Sequence, residues 1–254
     1  METSSATVEG TARKGVARRR RLARRLGILL CVGGVLGAAW VVTVWRWQDP
    51  FTALYASYQQ HRLSERYDER AAGFPALDAD GRHLAALRRE LAAAARRYRR
   101  ASAVGDPIAR LAIPAIDLHR VVVEGTDTAS LRRGPGRDPR TFMPGERQLV
   151  YIAGHRTTYG APFARIDSLE RGDRVTLQLP YARFEYRIVR HVVVPADDVA
   201  RLRSRGRELL ALQACHPRFF ATHRYIAYAR PVEVRVAGGR SFAWSDLVDA
   251  RPKG

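Results

Sequence analysis

Apolar and polar positions divide the chain into three stretches of different texture. From Leu26 to Trp45, 20 consecutive residues carry no charge. As a helix rising 1.5 Å per residue, this run is about 30 Å long, the thickness of a bilayer's hydrocarbon core. Its glycines and its lack of a polar face set it apart from a soluble core helix. Trp40, Trp45 and Trp47 gather at its far end, where indole rings favour the membrane interface. Residues 49–103 are rich in Ala, Arg and Leu. Phe51, Leu54, Tyr55 and Tyr58 fall at helical spacing, and Asp80 is placed to cap a second helix whose face is Leu84, Leu87, Leu91 and Tyr98. Ala72-Gly73-Phe74-Pro75 breaks the two. This pattern predicts a helical stalk over 46–104 that holds the following region away from a bilayer.

After Gly105-Asp106-Pro107 the pattern becomes alternating and β-branched. Runs at 108–113, 120–124, 148–153, 174–179, 184–194, 209–214 and 224–236 read as strands, and turn clusters such as GPGRDP (134–139) separate them. Seven or eight strands in this length predict an all-β barrel or sandwich. Helical turns are expected at 127–133, near 160–169 and at 197–205. A domain over 105–238 and a loose tail over 239–254 complete the division.

Charge changes the meaning of the first stretch. The 44 basic and 25 acidic residues give +19, and residues 1–25 alone hold eight basic residues against Glu2 and Glu9, a net of +6. A basic flank directly before an apolar run predicts an uncleaved, single-pass plasma-membrane anchor over 26–45. Its tail (1–25) is then cytoplasmic and the remainder extracellular. A cleavable signal peptide has a shorter apolar region of roughly 7–15 residues. The basic excess is nearly all Arg, 42 against two Lys. That skew reads as coding bias, and no nucleic-acid partner is expected.

Two cysteines, Cys31 and Cys215, exclude a disulfide scaffold and a Cys-rich zinc module. Cys31 falls in the membrane run, so Cys215 is the lone thiol outside it. Cys215 ends an apolar strand, where the strand fixes the backbone and the loop opens the sulfur to a substrate. An ordinary thiol is mostly protonated at neutral pH, so a nucleophilic cysteine asks for a base or cation nearby. The competing reading is an inert buried cysteine. Among seven histidines, His155 also stands at a strand-to-loop junction, 60 residues before Cys215. His216 adjoins Cys215 but points to the other side if the pleat continues. A hairpin between the runs at 209–214 and 224–236 brings Arg224 beside Cys215, where a guanidinium could donate to an oxyanion. No histidine or cysteine spacing points to a metal.

AGHRTTYGAPF (153–163), LQACHP (212–217) and HRYIAYA (223–229) together resemble a sortase, a membrane-anchored cysteine transpeptidase of Gram-positive bacteria. GHRTTYGAPF and CHP are similar to class E in particular, the housekeeping type of high-GC actinobacteria. VVVEGTDTASLRRGPGRDP (121–139) and PGE (144–146) add to the likeness, which covers about residues 105–236. The resemblance implies a closed eight-stranded β-barrel and a triad: Cys215 as nucleophile, His155 as general acid/base, and Arg224 as oxyanion or substrate stabiliser. Thr157, Thr158 and Tyr159 would border the substrate groove. It also implies cleavage of a C-terminal sorting signal of LAxTG or LPxTG type between Thr and Gly, on secreted proteins. A peptidoglycan-precursor amine would be the acceptor, with no cofactor and no metal. Two departures stand out: Ala211-Leu212-Gln213-Ala214 precedes Cys215 where sortases read TLxT, and Arg137 stands where histidine is common. Another cell-surface Cys/His peptidase, an L,D-transpeptidase-like wall enzyme and a non-catalytic wall-binding β-domain are the alternatives.

Overall fold

Every apolar run read as a strand is one in the computed structural model, which describes residues 6–47, 50–75, 77, 83–236 and 239–249. The strands are β1 (Pro107–Ile113), β2 (Leu118–Glu124), β3 (Gly136–Arg137), β4 (Leu149–Ala153), β5 (Arg174–Gln178), β6 (Ala182–Pro195), β7 (Leu209–His216), β8 (His223–Val236) and β9 (Ser241–Ala243). They run in the order β6-β5-β1-β2-β3-β4-β7-β8-β9, and a β6–β8 pairing closes the first eight into a barrel. Alternation along β5 and β6 sends Val175, Leu177, Phe184 and Tyr186 inward. β3 lies within GPGRDP, which reads as a turn in the sequence because two residues carry no period. The helical turns fall where expected, as α4 (Thr128–Leu131) and 3₁₀ turns at Ile166–Ser168 and Val199–Leu202.

The chain divides into two units, residues 1–48 and 49–254. The first is helix α1 (Ala6–Trp47), in which Arg21–Thr43 has a mean hydropathy of 2.2 and is long and apolar enough to cross a membrane.

The second unit corrects the expectation of a stalk. Helices α2 (Pro50–Ala72) and α3 (Leu84–Arg100) form, but they pack on the barrel. Leu87, Leu91 and Tyr98 of α3 enter the main core, and the Tyr98 hydroxyl donates to the Ile108 carbonyl at 3.0 Å. The expected face of α3 is thus right, and its partner is the barrel. On α2 the expected face is wrong. Leu54, Tyr55 and Tyr58 are exposed, while Ala56, Leu63 and Tyr67 are buried, with Leu63 and Tyr67 against Val121 and Val123. Gln60 gives the reason. Its amide accepts from Val121 N–H at 2.7 Å and donates to the Val121 carbonyl at 3.0 Å, satisfying a stretch of β2 that has only one strand neighbour. Arg70 adds an ion pair to Asp106 at 2.6 Å. The Asp80 cap lies outside the described residues; His83 Nδ1 accepts from Ala85 N–H at 3.3 Å at the start of α3.

The C-terminal stretch is likewise no loose tail as far as it is described. β9 pairs with β8, and helix α5 (Trp244–Asp249) buries Leu247 and sets Trp244 against Phe184, with ring centroids 6.3 Å apart. Burial of Leu247 and of part of the Trp244 ring removes apolar surface from water and holds the segment on the barrel.

Candidate active site

The barrel register brings the two strand ends together. β4 and β7 run parallel with Ala153 opposite Gln213, so His155 and Cys215, each two residues further on, leave adjacent strands at the same level. β7 and β8 run antiparallel with Cys215 directly opposite Arg224. Residues of like parity on β7 share a face. Leu210, Leu212 and Ala214 point into the main core, and Ala211 joins Leu149, Tyr151, Ile226 and Tyr228 on the outer face that Cys215 continues. A cleft of about 270 Å³ opens there, lined by His155, Cys215 and Arg224.

The loop after β4 is built around its glycine. A Cβ at Gly154 would stand 2.6 Å from the ring of Phe163, which is itself fully buried. Gly154 N–H donates to Gln213 at 3.0 Å, carrying the β4–β7 ladder one step further, and Phe163 N–H donates to the His155 carbonyl at 3.0 Å to close the loop. His155 is half-buried, with its ring 5.1 Å from that of Tyr159. Its Nε2 is buried and makes no hydrogen bond to any described residue. Burial first, and the Arg132 guanidinium second, hold its pKa below the ordinary 6.5, so the imidazole is neutral at pH 7 and able to accept a proton.

Cys215 is a free, half-buried thiol. Opposite it, Arg224 spends Nη1 on the carbonyls of Ala221 at 2.8 Å and His223 at 3.1 Å. Those bonds fix the guanidinium at the mouth of the β7–β8 hairpin and leave its other nitrogens for the cleft. His216 lies on the opposite side from Cys215, as the pleat requires. It faces Tyr225, with ring centroids 6.2 Å apart, and accepts from Arg156 at 3.0 Å.

Thr157, Thr158 and Tyr159 do not line the cleft. Tyr159 instead backs His155, and its N–H donates to Thr52 Oγ1 of α2 at 3.0 Å. The cleft wall holds residues that sequence reasoning missed, among them Asp138, Arg140, Tyr151 and Gln213. Asp138 and Arg140 pair with each other at 2.9 Å between Oδ1 and Nε. Only the i+2 spacing to Cys215 signalled Gln213, and nothing singles out Arg140 among 42 arginines.

Of the residues that depart from the sortase pattern, Ala211 is fully buried on the face that Cys215 continues, and Ala214 and Arg137 lie off the cleft. Ala214 is fully buried in the barrel core behind Cys215. Arg137 is 2% exposed; its Nε donates to Glu124 at 2.9 Å and its Nη1 to the Thr141 carbonyl at 2.6 Å. Among the described residues no group of three or more His, Cys, Asp or Glu is placed to hold a metal ion.

Comparison with known proteins agrees with the fold. The Sortase domain family matches residues 111–232. Sortase D of Bacillus subtilis is 36% identical over 126 residues, 48% of this chain and 62% of that protein. Sortase SrtE1 of Streptomyces coelicolor is 29% identical over 148 residues, 52% of this chain and 42% of that protein. The chain thus spans less than two thirds of either relative. D-type and E-type sortases both stand among its relatives, and the D-type one has the higher identity, so the likeness is not confined to class E. A Clostridium perfringens Sortase D5 transpeptidase superposes with a TM-score of 0.56 at 25% identity, covering 69% of this chain and 99% of that one. The SrtF sortase of Corynebacterium diphtheriae shares the fold, with a TM-score of 0.52 at 23% identity over 57% of this chain and 94% of that one. An eight-stranded ring closed by β6–β8 and a Sortase domain match over residues 111–232 give this chain the fold of the sortases, a family of cysteine transpeptidases.

Proposed function

We propose that the protein is a membrane-anchored transpeptidase. It cleaves a C-terminal sorting signal of LAxTG or LPxTG type between Thr and Gly, and passes the protein to an amine of a cell-wall precursor. The observation that carries this reading is the register: His155 and Cys215 leave neighbouring strands at one level, and Arg224 faces the thiol across the hairpin, all on one cleft.

The chemistry follows from those positions. The Cys215 sulfur attacks the threonine carbonyl carbon, and the thiol proton passes to neutral His155. Arg224 and nearby backbone amides stabilise the oxyanion of the tetrahedral intermediate. Collapse breaks the C–N bond, His155 returns its proton to the departing glycine amine, and a thioester remains on Cys215. An incoming amine loses a proton to His155 as it attacks, and Cys215 recovers the proton as it leaves. Asp138, Arg140 and Gln213 border the path of the peptide.

Placement follows from the N-terminal charge. With a net of +6 on residues 1–25, α1 is an uncleaved anchor with a cytoplasmic N-terminus, and residues 49–254 work outside. The substrates are secreted proteins bearing sorting signals, and their acceptor is a peptidoglycan precursor.

The test is to incubate the full-length protein with LAxTG and LPxTG peptides and a glycine-based amine, and to look by mass spectrometry for acyl-enzyme and ligated product. Ligation with either peptide that disappears in Cys215→Ala supports the reading. Absence of both species with both peptides overturns it.

A further inference from the structure

A second cavity, of about 510 Å³, adjoins the cleft and is unlike it in chemistry. Its roof is the connection between β6 and β7, where arginine recurs at every second position: Arg201, Arg203, Arg205 and Arg207. The residues between them face elsewhere. Leu202 lines the catalytic cleft. Ser204 Oγ accepts from Leu149 N–H at 3.0 Å and also bonds the Gln148 side chain, pinning the connection to β4. Glu208 closes the connection by accepting from Gly145 and Arg147 N–H at 2.9 and 2.8 Å. The four arginines are therefore held along one wall, and Arg171, Arg190 and Arg230 approach from other elements.

Against these seven arginines stands one carboxylate, Asp198, which pairs with Arg201 at 2.9 Å and also borders the cleft. Arg190 lies over the Tyr228 ring at 4.2 Å. The other five have no carboxylate partner among the described residues. The floor is apolar: Leu149, Val189, Leu209 and Tyr228. Solvated surface arginines need no apolar floor and no pinned backbone. Guanidinium groups bind phosphate through paired N–H donors, and several around one cavity fit its charge and three or more oxygens.

We propose that this cavity binds a phosphate ester carried on an apolar body, with the phosphate among Arg203, Arg205 and Arg207 and the hydrocarbon on Leu149, Leu209 and Tyr228. The source is either an anionic lipid of the membrane that holds α1 or a soluble phosphate ester, and both present the same chemistry.

The test is calorimetric titration of the full-length protein in phosphatidylcholine nanodiscs with inorganic phosphate, hexyl phosphate and hexanol. Hexyl phosphate should bind at least about tenfold more tightly than inorganic phosphate, because its chain is removed from water on the floor. Hexanol should not bind detectably. Both phosphate signals should be lost in the double variant Arg205→Glu/Arg207→Glu, whose exposed side chains leave the melting temperature unchanged. Replacing part of the disc lipid with phosphatidylglycerol distinguishes the sources. A raised apparent Kd for hexyl phosphate assigns the site to lipid, an unchanged one to a soluble ester, and either supports the proposal. Equal affinity for phosphate and hexyl phosphate, no binding at millimolar concentrations, or binding that survives the double variant overturns it. None of these readouts uses peptide ligation, so failure of the transpeptidase reading is recorded separately.

Discussion

Arg156, the residue after His155, donates to Nδ1 of His216, the residue after Cys215, at 3.0 Å. The same guanidinium reaches the Cys215 carbonyl at 3.4 Å and forms an ion pair with Asp167, and it is 4% exposed. One buried side chain thus ties the loop that carries the base to the strand that carries the thiol. Misplacement of reacting groups by about 1 Å can lower a rate 10²-fold. Arg156→Gln should therefore lower kcat by about that factor while KM changes by only a few-fold, and Arg156→Lys should recover part of the loss. Peptide ligation kinetics beside a thermal melt check this. A matching loss of stability with no split between kcat and KM would show that Arg156 only holds the fold.

The pair of Arg137 and Glu124 makes a different prediction, one of stability. Both are almost fully buried, and Arg137 also ties down the Asp138 and Thr141 carbonyls. Arg137→Leu leaves a buried, uncompensated carboxyl group, whose loss of partner costs about 3–5 kcal/mol. The melting temperature should fall on the order of 10 °C. Adding Glu124→Leu should restore much of it, since the stranded group is then gone. A double variant less stable than Arg137→Leu would be incompatible with this account.

The proposed role of His155 predicts an acid limb of activity. Its pKa is held below 6.5 by burial and by Arg132, and the proposed role needs the neutral ring. Activity should accordingly be full near pH 7 and fall only as pH drops through a value below 6.5. The unfolded imidazole binds its proton more tightly than the folded one, so this group also withdraws stability as pH falls through that window. Arg132→Gln removes the second cause and should move the acid limb of kcat/KM upward. The check is a pH–rate profile together with NMR titration of the His155 ring; a limb that stays in place excludes Arg132 as a cause.

A body truncated to residues 105–254 should not fold well. It would lack Leu63 and Tyr67 of α2 and Leu87, Leu91 and Tyr98 of α3, all at most 2% exposed. Burying each such side chain contributes roughly 1.5–3 kcal/mol, so together they rival the roughly 5–15 kcal/mol stability of a whole domain. Val121 would also lose both bonds to Gln60. Circular dichroism melts of residues 49–254 and 105–254 decide the matter. Equal, cooperative melts would return α2 and α3 to the status of a spacer.

Most of the barrel was legible in the sequence because its strands are runs of five or more residues, either alternating, as in β6, or apolar throughout, as in β4. β3 was not, because two residues carry no period. The helices were legible as helices, but their placement was not. The exposed run of Leu54, Tyr55 and Tyr58 looks more apolar than the buried face, whose attachment depends on Gln60, a polar residue paired with backbone. His155, Cys215 and Arg224 stood out in the sequence because all three are at strand ends, and the fold sets them on one cleft. Arg156 was hidden in plain sight: its neighbours give no hint of burial, and its partners are 11 and 60 residues away in sequence.

The three cleft residues should give three distinguishable losses. Cys215→Ala removes the nucleophile, so no thioester forms and ligation should vanish, while peptide can still bind. His155→Ala removes the acceptor of the thiol proton and the donor to the leaving amine, and should be nearly as severe. Arg224→Ala keeps both and loses one oxyanion donor, an effect on the order of 10²- to 10³-fold. Residual turnover should therefore remain measurable. Arg224→Lys should not restore full activity, because one ammonium cannot hold the Ala221 and His223 carbonyls with one nitrogen and aim another at the cleft. His223→Ala should retain most activity, its ring being engaged among the described residues with Thr222 at 2.9 Å. His216→Ala should show a several-fold loss through Arg156 and no change in thioester chemistry. Acyl-enzyme trapping by mass spectrometry separates these cases. A thioester that still forms in His155→Ala but not in His216→Ala would place the base on the wrong side of the β7 strand.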